Sequence, residues 1–203
     1  MTMQDAKSTE SAETGGPAAV IVLAAGAGTR MKSRTPKILH PVGGTSMVGH
    51  ALTAAQALAP RALAVVVRHE RDRVAEHVSA AAPQAVIVDQ DEVPGTGRAV
   101  QAAMEAIDAL SPVQGTVVVT YGDVPLLEAG TLRELVAVHN VDSNAVTVLT
   151  ARVADPAGYG RVLRAEDGTV TGIVEQKDAT AEQLAVNEIN SGIYAFDAAV
   201  LRS

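Results

Sequence analysis

Five short runs rich in β-branched residues, separated by alanine-rich stretches of helical periodicity, constrain what this chain can fold into. The runs are Ala19–Leu23, Leu63–Val67, Ala85–Val88, Thr116–Thr120 and Ala145–Thr150. They are too uniformly apolar for half-exposed antiparallel strands and suit parallel strands covered on both faces. Between them, Met47–Leu58, Asp72–Ala81, Thr96–Leu110 and Thr131–His139 carry apolar residues at helical spacing. Strand and helix in strict alternation predict βαβ units in an α/β, Rossmann-like, doubly wound and mainly parallel sheet. The rhythm breaks after Ala154. There Gly160–Arg164 and Thr169–Glu175 flank Glu166-Asp167-Gly168, the pattern of a hairpin with an Asp-Gly turn. A last strand over Ser191–Phe196 follows a polar stretch, so a small antiparallel lobe is expected beside the main sheet.

Composition excludes several functions. A net charge of -7 leaves no basic face for nucleic acid, and with 3 Tyr, 1 Phe and no Trp there is no base-stacking platform. No apolar run approaches the ~20 residues that span a bilayer. The absence of cysteine removes disulfides and thiolate metal sites and makes a cytoplasmic home the default expectation. Residues 1–17, MTMQDAKSTESAETGGP, lack the basic start and apolar middle of a signal peptide and are expected to be a disordered tail, with the folded domain over 18–203. Asp197 is a good N-cap for a helix beginning Ala-Ala-Val-Leu-Arg, which stops at Ser203 before such a helix is stable; the expectation is a fragment of a longer protein.

The chemistry concentrates in LAAGAGTRMKSRTPK, Leu23 to Lys37. A strand that ends at Leu23 puts this loop at the carboxyl edge of the sheet, where open α/β sheets bind ligands. Gly26 and Gly28 let backbone N–H groups converge on a phosphate, or they make an ordinary βα turn. Met31 stands where a dinucleotide fingerprint needs its third glycine, and no Gly-Lys-Ser/Thr completes a P-loop. Arg30, Lys32, Arg34 and Lys37 repel one another unless a polyanion sits among them, and a triphosphate is the natural candidate. Asp123 ends the Thr116–Tyr121 run at the same sheet edge. It is either a helix N-cap or a ligand for a hard cation; Pro125 delays the next helix and favours Mg²⁺ brought by a triphosphate. The amide of Gln90 offers a donor and an acceptor to a pyrimidine edge, or is a loop residue ahead of a Thr96 helix cap. Glu175 and Asn190 suit hydroxyl recognition on a sugar, or are a surface carboxylate and a turn residue. The five histidines show no metal-ligand spacing and are taken as structural or surface residues, and no Gly-x-Ser-x-Gly elbow appears.

Six ordered segments carry a resemblance. Leu-Ala-Ala-Gly-x-Gly-Thr-Arg-Met with Pro36-Lys37 resembles the signature loop of the sugar-1-phosphate nucleotidyltransferases. Gln90 with Pro94-Gly95-Thr96-Gly97 resembles their base-recognition segment, and Tyr121-Gly122-Asp123-Val124-Pro125-Leu126 their metal-binding strand end. Gly158-Tyr159-Gly160-Arg161, Ile173 to Ala179 and Asn187 to Tyr194 match the sugar side. Over residues 19 to 203 the set is most similar to the uridylyltransferase part of the bacterial bifunctional N-acetylglucosamine-1-phosphate uridylyltransferases/glucosamine-1-phosphate acetyltransferases. Arg98 stands where that family usually has His.

The resemblance implies transfer of uridylyl from UTP to N-acetylglucosamine-1-phosphate, giving UDP-N-acetylglucosamine and pyrophosphate for cell-wall precursors. It implies Arg30 and Lys37 as catalytic residues and Asp123 as Mg²⁺ ligand. Leu23, Ala24, Ala25, Gly26, Gln90, Gly95, Thr96, Tyr121 and Gly122 would line the UTP side, and Gly160, Glu175 and Asn190 the sugar side. About 18–155 would form the nucleotide-binding part and 156–203 the sugar-binding part. A second metal-ligating asparagine, the acetyltransferase half and the trimer it forms in the family would lie past Ser203.

Overall fold

The computed structural model describes residues 15–28, 31–93, 95–141 and 143–203. The chain runs β1 (Ala19–Leu23), β2 (Pro41–Val42), β3 (Thr45–Ser46), α1 (Met47–Gln56), β4 (Ala62–Val67), α2 (Arg71–Ala81), β5 (Val86–Asp89) and α3 (Thr96–Leu110). It continues with β6 (Thr116–Tyr121), α4 (Ala129–Val141), β7 (Val146–Arg152), β8 (Arg161–Arg164), β9 (Val170–Val174), α5 (Ala181–Leu184), β10 (Glu188–Asp197) and α6 (Ala198–Leu201). Eight strands form one mixed sheet in the order β5-β4-β1-β6-β10-β8-β9, with β7 on the other side of β10.

The first four strands of that order are parallel, with Leu23 opposite both Val66 and Tyr121, and Val67 opposite Asp89. All five residues of β1 are buried, because both of its faces are covered. Val20 and Val22 pack with Val48, Leu52, Val74, Val78, Leu132 and Leu135, from α1, α2 and α4. Ala19, Ile21 and Leu23 face Ala99, Val100, Ala103, Met104 and Ile107 of α3, with Ala198 of α6. Burying each such valine or isoleucine contributes about 1.5–3 kcal/mol, so the two-faced β1 is the spine of the core.

The expected strand near 145–150 departs from expectation in its partner. β7 pairs antiparallel with β10, which itself runs antiparallel to β6. β7 therefore points the same way as the parallel strands but is separated from them by a reversed strand, and most of its residues are only half-covered or exposed. Register in β10 shifts between Asn190 and Tyr194, and Ile189 pairs with Arg161, so one bent strand ties the main sheet to the β8–β9 hairpin. That hairpin turns at Glu166-Asp167-Gly168, with Gly168 at φ +86 and Asp167 Oδ1 accepting from the Thr169 N–H. Its anchor is electrostatic: Arg164 donates to both oxygens of buried Glu188, at 2.6 and 2.9 Å.

Local signals account for several ends. Ser46 Oγ caps α1 through the Gly49 N–H, and Asp197 Oδ1 caps α6 through Ala199 and Val200. Thr180 and Gln183 close a capping box on α5. The β2–β3 hairpin escapes a pattern reading because its strands are two residues long. Its turn is nevertheless written in Gly43-Gly44, at φ +61 and +92.

Candidate functional site

At the carboxyl edge of the parallel strands lies a cavity of about 630 Å³. Its wall takes Leu23, Ala24, Ala25 and Gly26 from the loop after β1, Lys37 from the 3-10 turn that follows, Gln90, Gly95 and Thr96 from the β5–α3 connection, and Tyr121 and Asp123 from the end of β6. These are residues singled out from the sequence, gathered from four segments by strand register. Arg30 lies outside the described residues, as do Pro94 and most of the expected tail.

Lys37 Nζ donates to Asp123 Oδ2 at 2.6 Å, a pair 86 residues apart in sequence with both side chains about one third exposed. Asp123 does not cap a helix, since α4 begins only at Ala129. The second loop glycine serves Lys37: Gly28 has φ +59, and a Cβ there would come within 2.5 Å of Lys37 Cβ. Gly26 faces open space. Gly122 is buried beneath the cavity rather than lining it, and its N–H donates to Leu23 O at 2.9 Å, stitching β6 to β1.

Across the sheet, the Gln90 side-chain NH₂ donates to the carbonyls of Val93 and Gly95, at 3.3 and 3.1 Å. Gln90 thus braces its own loop and has its carbonyl oxygen left for a ligand. Gly95, not Thr96, occupies the cap position of α3, at φ +127. Arg98 pairs with Asp91 at 2.7 Å and with Glu105 at 3.3 Å, and its guanidinium holds the Asp91 carboxyl below the usual range.

Gly160, Glu175 and Asn190 do not line this cavity but meet one another beside it. A Cβ on Gly160 would sit 3.2 Å from Glu175 Oε1 and 3.6 Å from Asn190 Cβ, while the Asn190 N–H donates to Gly160 O at 2.9 Å. Asn190 Oδ1 accepts from the Gly192 N–H and the Tyr194 hydroxyl, both at 2.9 Å. Burial pushes the Tyr194 hydroxyl above its ordinary pKa and keeps it a donor. Gly192, at φ +78, lies under the Tyr121 ring, where a Cβ would come within 2.5 Å of Cε2. Tyr121 also lines the cavity, so it joins the two clusters.

Sequence reasoning gave Gly192 and Tyr194 no role of their own within the Asn187–Tyr194 segment and passed over Arg68. Arg68 lines the cavity from the end of β4; its one signal was its place directly after an apolar strand. Four of the five histidines are occupied by the fold: His40 and His50 donate to the carbonyls of Thr35 and Val42, His77 bonds Ser46 Oγ, and buried His139 bonds Thr147 Oγ1, while His69 is exposed.

Residues 20–184 match the family model of the MobA-like NTP transferase domain. The chain belongs to that family. This nucleotidyltransferase domain is 70% identical over 193 residues to the bifunctional protein GlmU of Paenarthrobacter aurescens, a match covering 95% of the chain and 39% of that relative. It is 65% identical over 187 residues to the GlmU of Kineococcus radiotolerans, covering 92% and 37%. The chain thus spans about two fifths of the length of these curated relatives. Its fold is that of the inositol-1-phosphate CTP transferase of T. maritima, with a TM-score of 0.70 at 17% identity over 93% of this chain and 74% of the other. A Bacillus anthracis protein provisionally named a glucose-1-phosphate thymidylyltransferase superposes with a TM-score of 0.74 at 22% identity, over 90% and 72%. Among the described residues no helix is long and apolar enough to cross a membrane.

Proposed function

We propose that this domain joins the phosphate of N-acetylglucosamine-1-phosphate to the α-phosphate of UTP and releases pyrophosphate. The observation that carries the reading is the Lys37–Asp123 pair, set between a base-sized loop at Gln90 and a polar cluster of Gly160, Glu175 and Asn190. The sugar phosphate is the nucleophile, largely a dianion at neutral pH because its second pKa is ~6. Its oxygen attacks the α-phosphorus of UTP as the bond to the bridging β-phosphate oxygen breaks, and no general base is required. The protein's part is in-line placement and neutralisation of two polyanions. Lys37 meets the reacting phosphates and Arg30 the departing pyrophosphate. Gln90, Gly95, Thr96 and the Leu23–Gly26 backbone hold the nucleotide, and Glu175, Asn190 and the Gly160 backbone hold the sugar. We assign 18–155 to the nucleotide and 156–203 to the sugar.

Asp123 offers a hard carboxylate oxygen at the phosphate end, which suits Mg²⁺. Among the described residues no cluster of three or more His, Asp or Glu forms a metal cage, so Asp123 would hold the ion together with oxygens supplied from elsewhere, the substrate phosphates among them. A Mg²⁺ held by Asp123 would supply charge neutralisation to the reacting phosphates.

Pyrophosphate release is the test, on this chain and on the chain extended to the length of its relatives. Expected is Mg²⁺-dependent release from UTP with N-acetylglucosamine-1-phosphate, cut about a hundredfold or more in kcat by Asp123→Ala. A preference for glucose-1-phosphate would replace the acceptor. UTP binding without turnover in the extended chain would make this a binding module.

A further inference from the structure

Gln90 cannot by itself tell a keto pyrimidine from an amino one. With its NH₂ held by two backbone carbonyls, it presents only Oε1, an acceptor. An acceptor serves the ring N–H of uracil and the exocyclic NH₂ of cytosine equally well. Discrimination needs a second group that only donates.

Arg68 has that chemistry, with five N–H donors and no acceptor. It follows Val67, whose carbonyl accepts from the Gln90 N–H at 2.9 Å, so Arg68 and Gln90 end adjacent strands in register. Both continue the strand faces that Val66 and Val88 turn toward α3, and both line the cavity with Thr96 and Ala99. Neighbouring strands lie about 4.8 Å apart. Sheet order therefore puts Arg68 beside Gln90 and two strands away from β6, which carries Asp123. Arg68 belongs to the base end of the cavity, not its phosphate end. The two acids that flank Gln90 are already paired, Asp89 with Arg71 and Asp91 with Arg98, and among the described residues Arg68 makes no salt bridge. Its side chain is half-buried in the wall of a nucleotide-sized cavity, with Asp91 acting on it only at longer range.

Resting on the nucleotide reading above, we propose that Arg68 is a specificity-determining residue, donating to the uracil O4 beside the ring N3–H that Gln90 Oε1 accepts. In one ring register uracil satisfies both groups. With the register fixed by the ribose and phosphates, cytosine sets its N3 against Gln90 Oε1, acceptor against acceptor, and its NH₂ against Arg68, donor against donor, and is disfavoured by repulsion as well as by lost bonds.

Equilibrium binding of UTP and CTP to this chain, its Arg68→Met variant and its Arg68→Lys variant tests the assignment. The wild type should prefer UTP. Arg68→Met should lower UTP affinity about tenfold and leave CTP unchanged or tighter, collapsing the preference, with Arg68→Lys restoring part of it. Equal losses for both nucleotides would make Arg68 a phosphate contact and overturn the proposal, as would an unchanged UTP/CTP ratio. Absence of UTP binding by the wild type would instead refute the underlying nucleotide reading.

Discussion

Thr120 is 1% exposed in β6, opposite Val22, and its hydroxyl has no hydrogen-bond partner among the described residues. An unsatisfied buried hydroxyl forfeits its solvation without return. Thr120→Val keeps the shape and removes the polar atom, so it should raise unfolding free energy by about 1 kcal/mol in chemical denaturation, at unchanged denaturant slope. A loss of stability would mean that the hydroxyl is satisfied after all. At this scale the sequence was legible where function needs a contiguous motif. The loop from Leu23 to Lys37 and the segment through Asp123 could be picked out because each lies on one stretch of chain. Arg68 could not. Its meaning comes from lying beside Gln90, which depends on strand register 22 residues apart in sequence. Gly28 shows a second limit: the sequence suggests a glycine for a phosphate, while the structure spends it on the stem of Lys37.

At the scale of elements, the β8–β9 hairpin meets β10 through one residue pair and through the Arg164–Glu188 ion pair. Hydrogen bonds from Arg164 hold the Glu188 carboxyl down at about 2. Glu188→Gln should raise hydrogen-exchange rates of β8 and β9 amides while leaving those of β1 and β4 protected; uniform protection would separate the hairpin's order from this pair. Elements with local causes were readable: α3 has its expected bounds, and β1 likewise. β10's reversed insertion was not, because antiparallel entry between two same-direction strands leaves no mark in the apolar pattern of β7.

For the whole molecule, two buried groups set the response to acid. Burial lowers the His139 pKa below the ordinary 6.5, against a smaller opposing pull from Asp197. Below pH 6.5 the unfolded chain therefore binds the extra proton first, so stability is full above 6.5 and falls as pH drops through the native value. Glu188 acts lower. Its contribution is full above about 4.5 and is lost as pH falls toward 2. Denaturation midpoints should thus decline in two stages, the first reduced in a His139→Phe/Thr147→Val double variant and the second in Glu188→Gln. A single stage unaffected by either change would refute this assignment.

β10 carries Ile193 and Ala195 into the core and, a few residues earlier, holds Asn190 beside Glu175 and Gly160. Two hydrogen bonds fix the Asn190 side chain before any ligand arrives. The entropy of ordering it is incurred during folding and not again on encounter. Under the proposed assignment of this cluster to the sugar, acceptor selectivity is therefore pre-organised. It should appear in how slowly the right sugar leaves, rather than in how far the protein moves to receive it.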